Sequence, residues 1–134
     1  MTLMDGKRII YSILLFLACC ILTYAQNERA LLVGISKYSD STGWRNIHGA
    51  NDVDLMKSVL KGFSIRELKN ANATYDNIIK ELNYLSKKTK EGDIVYIHFS
   101  GHGQPFEDMN GDEQDGWDES FVPFDAHLYY EQNV

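Results

Sequence analysis

Apolar residues along this chain fall into two kinds of pattern, and each predicts a different element. The run Ala30-Leu-Leu-Val-Gly-Ile35 is apolar without alternation, which suits a strand covered on both faces, as in a parallel sheet between helices. Ile94-Val-Tyr-Ile-His-Phe99 is a second strongly β-prone run, and it breaks into Ser100-Gly101-His102-Gly103, where glycine ends the strand. Between the two runs the period changes. Val53, Met56, Leu60 and Phe63 recur at three- and four-residue intervals, predicting an amphipathic helix over 51–61 with Gly62 as its C-terminal stop. A second helix follows Thr74, whose side chain can cap it. Asp76 lies in its first turn, Ile78, Leu82 and Leu85 share one face, and Lys87, Lys88 and Lys90 sit near the negative end of the dipole. Gly92 ends it, and Ser64 to Leu68 is a short strand candidate between the helices.

Strands alternating with helices imply an α/β fold with a mostly parallel sheet and right-handed crossovers. In such sheets functional groups collect beyond the carboxyl ends of the strands, and Ser100 to Gly103 lies at one. The first 25 residues stand apart from this pattern. Lys7 and Arg8 precede an almost unbroken apolar run over 9–22, and Thr23-Tyr24-Ala25 puts a small residue before Gln26, which reads as a secretory signal peptide. The apolar run is shorter than the roughly 20 residues a spanning helix prefers, so no stable membrane association is expected after cleavage. An uncleaved anchor and a lipidation site around Leu17-Ala18-Cys19-Cys20 are the alternatives. The expected location is secreted or periplasmic.

Composition narrows the function classes. A chain of 134 residues, 44% hydrophobic and 24% charged, has room for one core and one domain, expected over 26–134. Its net charge of -6 becomes -7 without residues 1–25, so its surface repels phosphates and nucleic acid is not an expected partner. Both cysteines, Cys19 and Cys20, lie in the leader, so residues 26–134 hold no thiol and no disulfide framework.

Two stretches carry candidate chemistry. His102 follows a strand and is flanked by Gly101 and Gly103, so the backbone can turn and present the imidazole. His98, four residues earlier, makes a His-x3-His spacing that binds zinc on a helix, but here the span runs from strand into turn. His48 and His127 carry no such context. The segment 107–119 holds seven carboxylates, Glu107, Asp108, Asp112, Glu113, Asp115, Asp118 and Glu119, and no basic residue. It is either a hydrated acidic loop or a calcium site. Asp108, Asn110, Asp112 and Glu119 fall at EF-hand positions one, three, five and twelve, yet Glu113 stands where that loop needs glycine and no amphipathic helix leads in.

Taken in order, Ala30-Leu-Leu-Val-Gly-Ile35, Ile47-His-Gly-Ala-Asn-Asp-Val53, Gly92-Asp93, Ser100-Gly-His-Gly103, Gly111-Asp-Glu-Gln-Asp-Gly-Trp-Asp-Glu119 and Val122-Pro-Phe-Asp125 resemble the caspase-like peptidases, most closely metacaspases. The resemblance implies a three-layer sandwich and a cysteine-type endopeptidase acting on protein or peptide substrates. It implies that His102 is the catalytic histidine and that the Gly103 N–H helps hold the oxyanion. Asp52 would line the primary specificity pocket with Ser100 nearby, where a buried carboxylate favours cleavage after Arg or Lys. No cofactor is required, and Asp118 resembles a ligand of calcium in calcium-dependent members. The family's nucleophilic cysteine lies on the next core strand, expected beyond Val134. The chain is therefore expected to hold about three core strands and to leave the apolar face of the Ile94 to Phe99 run uncovered.

Overall fold

The computed structural model describes Tyr11 and residues 26–128. The expected signal segment thus lies, apart from Tyr11, outside the described residues; among those described, no helix is long and apolar enough to cross a membrane. Strand β1 (Glu28–Gly34) forms the middle of a three-stranded parallel sheet, between β2 (Ser64–Lys69) and β3 (Ile94–Ser100). Helix α1 (Gly49–Val59) and helix α2 (Tyr75–Lys88) carry the two crossovers.

The unbroken apolar character of β1 has a direct cause. Ala30 and Leu32 face Val53 of α1, with Met56, Leu60 and Phe63 packed around them. Leu31 and Val33 face Ile78 and Leu85 of α2. The helices therefore cover opposite faces of the sheet, giving three layers, and each β1 side chain from Ala30 to Val33 is fully buried.

The ends of α2 follow the local chemistry of the chain. Thr74 Oγ1 accepts the Asn77 N–H at 3.4 Å, and Asp125 Oδ1 accepts the Tyr75 N–H at 2.9 Å, so two of the first-turn donors are satisfied. At the start of β3, Asp93 takes the backbone and side-chain N–H groups of Asn27 at 3.0 and 2.9 Å and the Lys90 N–H at 3.0 Å. These donors hold its carboxyl below the usual carboxylate range. They also pin β3 to the chain entering β1.

One feature follows the sequence-based expectation and one departs from it. First, β3 is an edge strand among the described residues, and Ile97 and Phe99 on one face and Ile94 on the other are 45%, 40% and 41% exposed. Second, the stretch after His102 is no simple turn and loop. Gly103–Glu107 (β4) and Trp117–Phe121 (β5) pair antiparallel, and the acidic segment is the connection between them. An EF-hand needs helices on both sides of its loop; strands flank this one, so that alternative is excluded.

One close approach positions the site. A Cβ on Gly49 would stand 2.2 Å from the Ser100 carbonyl oxygen and 2.8 Å from that of Ile35. Only glycine lets the N-terminus of α1 rest on the carboxyl ends of β1 and β3, and the first turn of α1 carries Asp52.

Candidate active site

His102 sits two residues beyond the end of β3 that Ser100 closes, half-buried between two aromatic rings. Trp44 stacks on it at 5.0 Å between centroids with 30° between planes, and Tyr38 lies 5.1 Å away at 45°. The Trp44 indole N–H donates to the Ala126 carbonyl at 3.0 Å, so the stacking ring is itself anchored.

The imidazole Nε2 lies 2.8 Å from the Arg45 carbonyl oxygen. A carbonyl only accepts, so Nε2 carries the proton and Nδ1 of the neutral ring holds the free lone pair. The ring is therefore held in place with a fixed tautomer. Its backbone is equally constrained: the His102 N–H donates to the Tyr38 hydroxyl at 2.9 Å, and the Val122 N–H donates to the His102 carbonyl at 2.9 Å. Because the peptide unit is planar and trans, the Gly103 N–H points opposite to that carbonyl, away from β5. It stays out of the β4–β5 ladder.

The chain bends at Gly101 between β3 and β4, and neither glycine around His102 has a positive φ. A Cβ on Gly101 would come within 2.7 Å of the Phe121 ring and 3.0 Å of the Tyr38 hydroxyl. Glycine is needed here for close approach, not for a left-handed backbone.

Asp52 and Ser100 meet as the resemblance implied, with Ser100 Oγ donating to Asp52 Oδ2 at 2.5 Å. The carboxylate is exposed, however, and not buried. It stands on the first turn of α1 at the rim of the sheet, where water reaches it. The amino-terminal end of the helix dipole favours its negative charge.

Among the described residues, His98 and His102 belong to no group of three or more potential metal ligands. His98 lies within β3 beside Tyr96, 6.5 Å between ring centroids, and its Nε2 is buried without a partner. Among the described residues, the one group of three or more potential ligand atoms within 4.8 Å of one another is Asp108, Asp112 and Asp118. The hairpin explains that meeting, because Asp118 lies on β5 opposite Phe106 while Asp108 and Asp112 lie in the connection. Backbone N–H groups of Gly111, Glu113 and Asn110 hold the Asp108 carboxyl below the usual range. Asp118 is pushed up, first by desolvation and then by the charges of Asp108, Asp112 and Glu119. Three crowded carboxylates with oxygen donors and no local cation suit a hard ion such as calcium.

Tyr38, Trp44, Val122 and the Arg45 carbonyl were not among the sequence candidates. An aromatic pair flanking the polar turn after β1 was the available signal for the first two. A backbone carbonyl leaves no trace in side-chain identity.

Comparison with known proteins bears on the family and the fold. The family model for the metacaspase, peptidase C14 domain matches residues 28–131. Metacaspase-1 of Eremothecium gossypii is 33% identical over 111 residues, covering 74% of this chain and 24% of that protein. Metacaspase-1B of Aspergillus clavatus is 34% identical over 113 residues, 75% of this chain and 27% of its own length. A solved structure of a Geobacter sulfurreducens protein matches with a TM-score of 0.64 at 29% identity, over 76% of this chain and 41% of its own. The chain spans about a quarter of the length of these curated relatives. From its central strand to the segment that clamps His102, it belongs to the metacaspase family of peptidase C14 domains.

Proposed function

We propose that this chain carries the histidine half of a cysteine endopeptidase site that cuts after Arg or Lys, with the thiol supplied by a cysteine C-terminal to the described residues. The observation that carries the proposal is the His102 ring, its Nε2 tied to the Arg45 carbonyl and its Nδ1 left to exchange a proton. In the reaction the thiol gives its proton to His102 Nδ1, the resulting thiolate attacks the substrate carbonyl carbon, and the carbonyl electron pair moves onto oxygen, where the Gly103 N–H stabilises it. Collapse of that intermediate expels the amine, which takes its proton from the His102 imidazolium. Water, losing a proton to the same imidazole, then hydrolyses the thioester.

Asp52 supports the basic specificity: an exposed carboxylate with a hydroxyl bonded to it can pair with a guanidinium or ammonium at the rim of the site. The test is hydrolysis of fluorogenic peptides by the full-length protein. Peptides ending in Arg or Lys should be cut, and Asp52→Asn should lower kcat/KM on them by about tenfold to a hundredfold. A preference for acidic or neutral residues, or no hydrolysis at all, would reject the assignment. The apolar leader over 9–22 fits the same reading as an export signal.

Calcium at Asp108, Asp112 and Asp118 is the accompanying proposal, and the raised Asp118 pKa supports it. A carboxyl whose folded pKa is raised adds stability fully present below its unfolded pKa, and that stability is lost as pH rises through the folded value. At neutral pH Asp118 is thus ionised at a cost that a cation would relieve. Asp108 has the opposite sign, its contribution being lost only as pH falls through its lowered pKa. Calcium should therefore raise the melting temperature at pH 7, and its affinity should weaken as pH falls through the Asp118 titration. Calorimetric calcium titrations of wild type and Asp118→Ala check this, and equal affinities would remove Asp118 from the site.

A further inference from the structure

Antiparallel neighbours that exchange hydrogen bonds normally do so reciprocally. With Gly103 opposite Phe121, the next pair inward is His102 opposite Val122. One half of the exchange is present, Val122 N–H to the His102 carbonyl at 2.9 Å. The other half is interrupted. The His102 N–H goes to the Tyr38 hydroxyl at 2.9 Å, and that hydroxyl is 3.4 Å from the Val122 carbonyl, to which it donates. The phenol oxygen stands as a wedge in the ladder, accepting from one strand and donating to the other.

We infer that Tyr38 is a positioning residue, whose hydroxyl, inserted between His102 and Val122, sets the backbone from which both the imidazole and the Gly103 N–H project. The inference rests on the peptidase reading above for its consequence in activity, though not for its geometry. Three observations carry it. Tyr38 is 5% exposed and belongs to the core cluster that includes Leu31, Val33 and Val122, so its ring cannot swing away. Gly101 leaves room for the hydroxyl where any Cβ would crowd it at 3.0 Å. Burial raises the phenol pKa, so the oxygen keeps the proton that it donates to Val122.

Without the hydroxyl, the His102 N–H and the Val122 carbonyl either pair directly, drawing the strands together, or remain unsatisfied in a half-buried place. Both outcomes move the imidazole relative to a thiol held elsewhere, and a displacement of about 1 Å is worth up to roughly a hundredfold in rate. Substrate contacts at Asp52 and Ser100 are untouched.

The test compares full-length wild type with Tyr38→Phe, which keeps the ring and removes one oxygen. We expect kcat to fall about tenfold to a hundredfold with KM unchanged, and the His102 amide to exchange with solvent faster. A kcat equal to wild type, or a loss matched by the fraction of protein unfolded, overturns the inference. If Tyr38→Phe does not fold, amide exchange in the wild type decides: a His102 N–H exchanging at the unprotected rate rejects the clamp. A wild type that protects this amide yet hydrolyses no peptide would sink the peptidase reading and leave the clamp standing.

Discussion

Full-length protein carrying His102→Ala is expected to lose about a thousandfold or more in kcat/KM on Arg and Lys peptides, while its melting temperature changes little. The first half follows from the proposed reaction, in which one ring serves both steps, giving a proton to the departing amine and taking one from water. Members of such a unit act together, so removing one removes most of what the set contributes. The reason for the second half lies in how His102 is held. Its backbone bonds to Tyr38 and Val122 do not involve the imidazole, and alanine keeps both. The ring itself is only half-buried, so its loss leaves a dent at the surface and no sealed cavity. Parallel peptide kinetics and thermal melts settle the matter. Substantial surviving hydrolysis would exclude the imidazole from the chemistry, and a large drop in melting temperature would show that the ring has a structural role as well.

The largest effect on stability is expected at a residue with no side chain. Gly49→Ala should destabilise the protein by about 3 kcal/mol or more, beyond the usual range for overpacking, because the new methyl meets main chain and not a movable rotamer. It would lie 2.2 Å from the Ser100 oxygen, 2.8 Å from the Ser100 carbonyl carbon and 2.8 Å from the Ile35 oxygen. Ser100 cannot yield, since its carbonyl already accepts the Ile35 N–H at 2.9 Å and ties β3 to the exit of β1. Retreat of the helix is the remaining relief, and it would undo the facing contact at Gly34, where a Cβ would be 2.4 Å from the Gly49 oxygen. That retreat also draws Asp52 away from Ser100, so the proposed recognition of basic substrates should weaken together with stability. Urea unfolding of wild type and Gly49→Ala measures the cost, with Gly92→Ala as control. Gly92 has φ +87° and nothing within 4 Å of its absent Cβ, so its replacement should cost only backbone strain of about 1–2 kcal/mol. A Gly49→Ala midpoint equal to wild type would show that the helix and sheet do not meet as described.

The parts of the fold that were legible from sequence are those where burial dictates residue type. The continuous apolar run of β1 announced a strand covered on two faces, and the three- and four-residue spacing of Val53, Met56 and Leu60 announced the helix on one of them. Thr74 and Asp76 marked the start of α2 because a cap and a first-turn acid act locally. Helix α1 begins at Gly49, two residues before its expected start, since the close contact with β1 and β3 extends the helix and leaves no signature beyond glycine itself. The β4–β5 hairpin was missed for the converse reason. Its residues are mostly exposed, Pro105 interrupts one strand, and carboxylates dominate the other and the connection, so little in the apolar pattern marks it.

At the candidate site, ordered motifs singled out His102, Gly103, Asp52 and Ser100, and the structure brings Asp52 to Ser100. What was hidden is what holds them. Tyr38 reaches His102 across 64 residues of chain, and the Arg45 carbonyl belongs to a group that every residue possesses. Exposure of Asp52 was equally hidden, because a first-turn helix position fixes the local charge preference but not how much solvent the rim admits.

The span over which the imidazole is gripped has a consequence for biosynthesis. Trp44 is fastened to Ala126 across 82 residues, and Tyr38 to Val122 across 84. Contacts of such separation form late, after the entropy of closing a long loop has been met. A nascent chain emerging from the ribosome exposes His102 well before Val122 and Ala126 are available to steady it. Fixing of the imidazole is thus withheld until residues 122–126 arrive, a delay set by chain order.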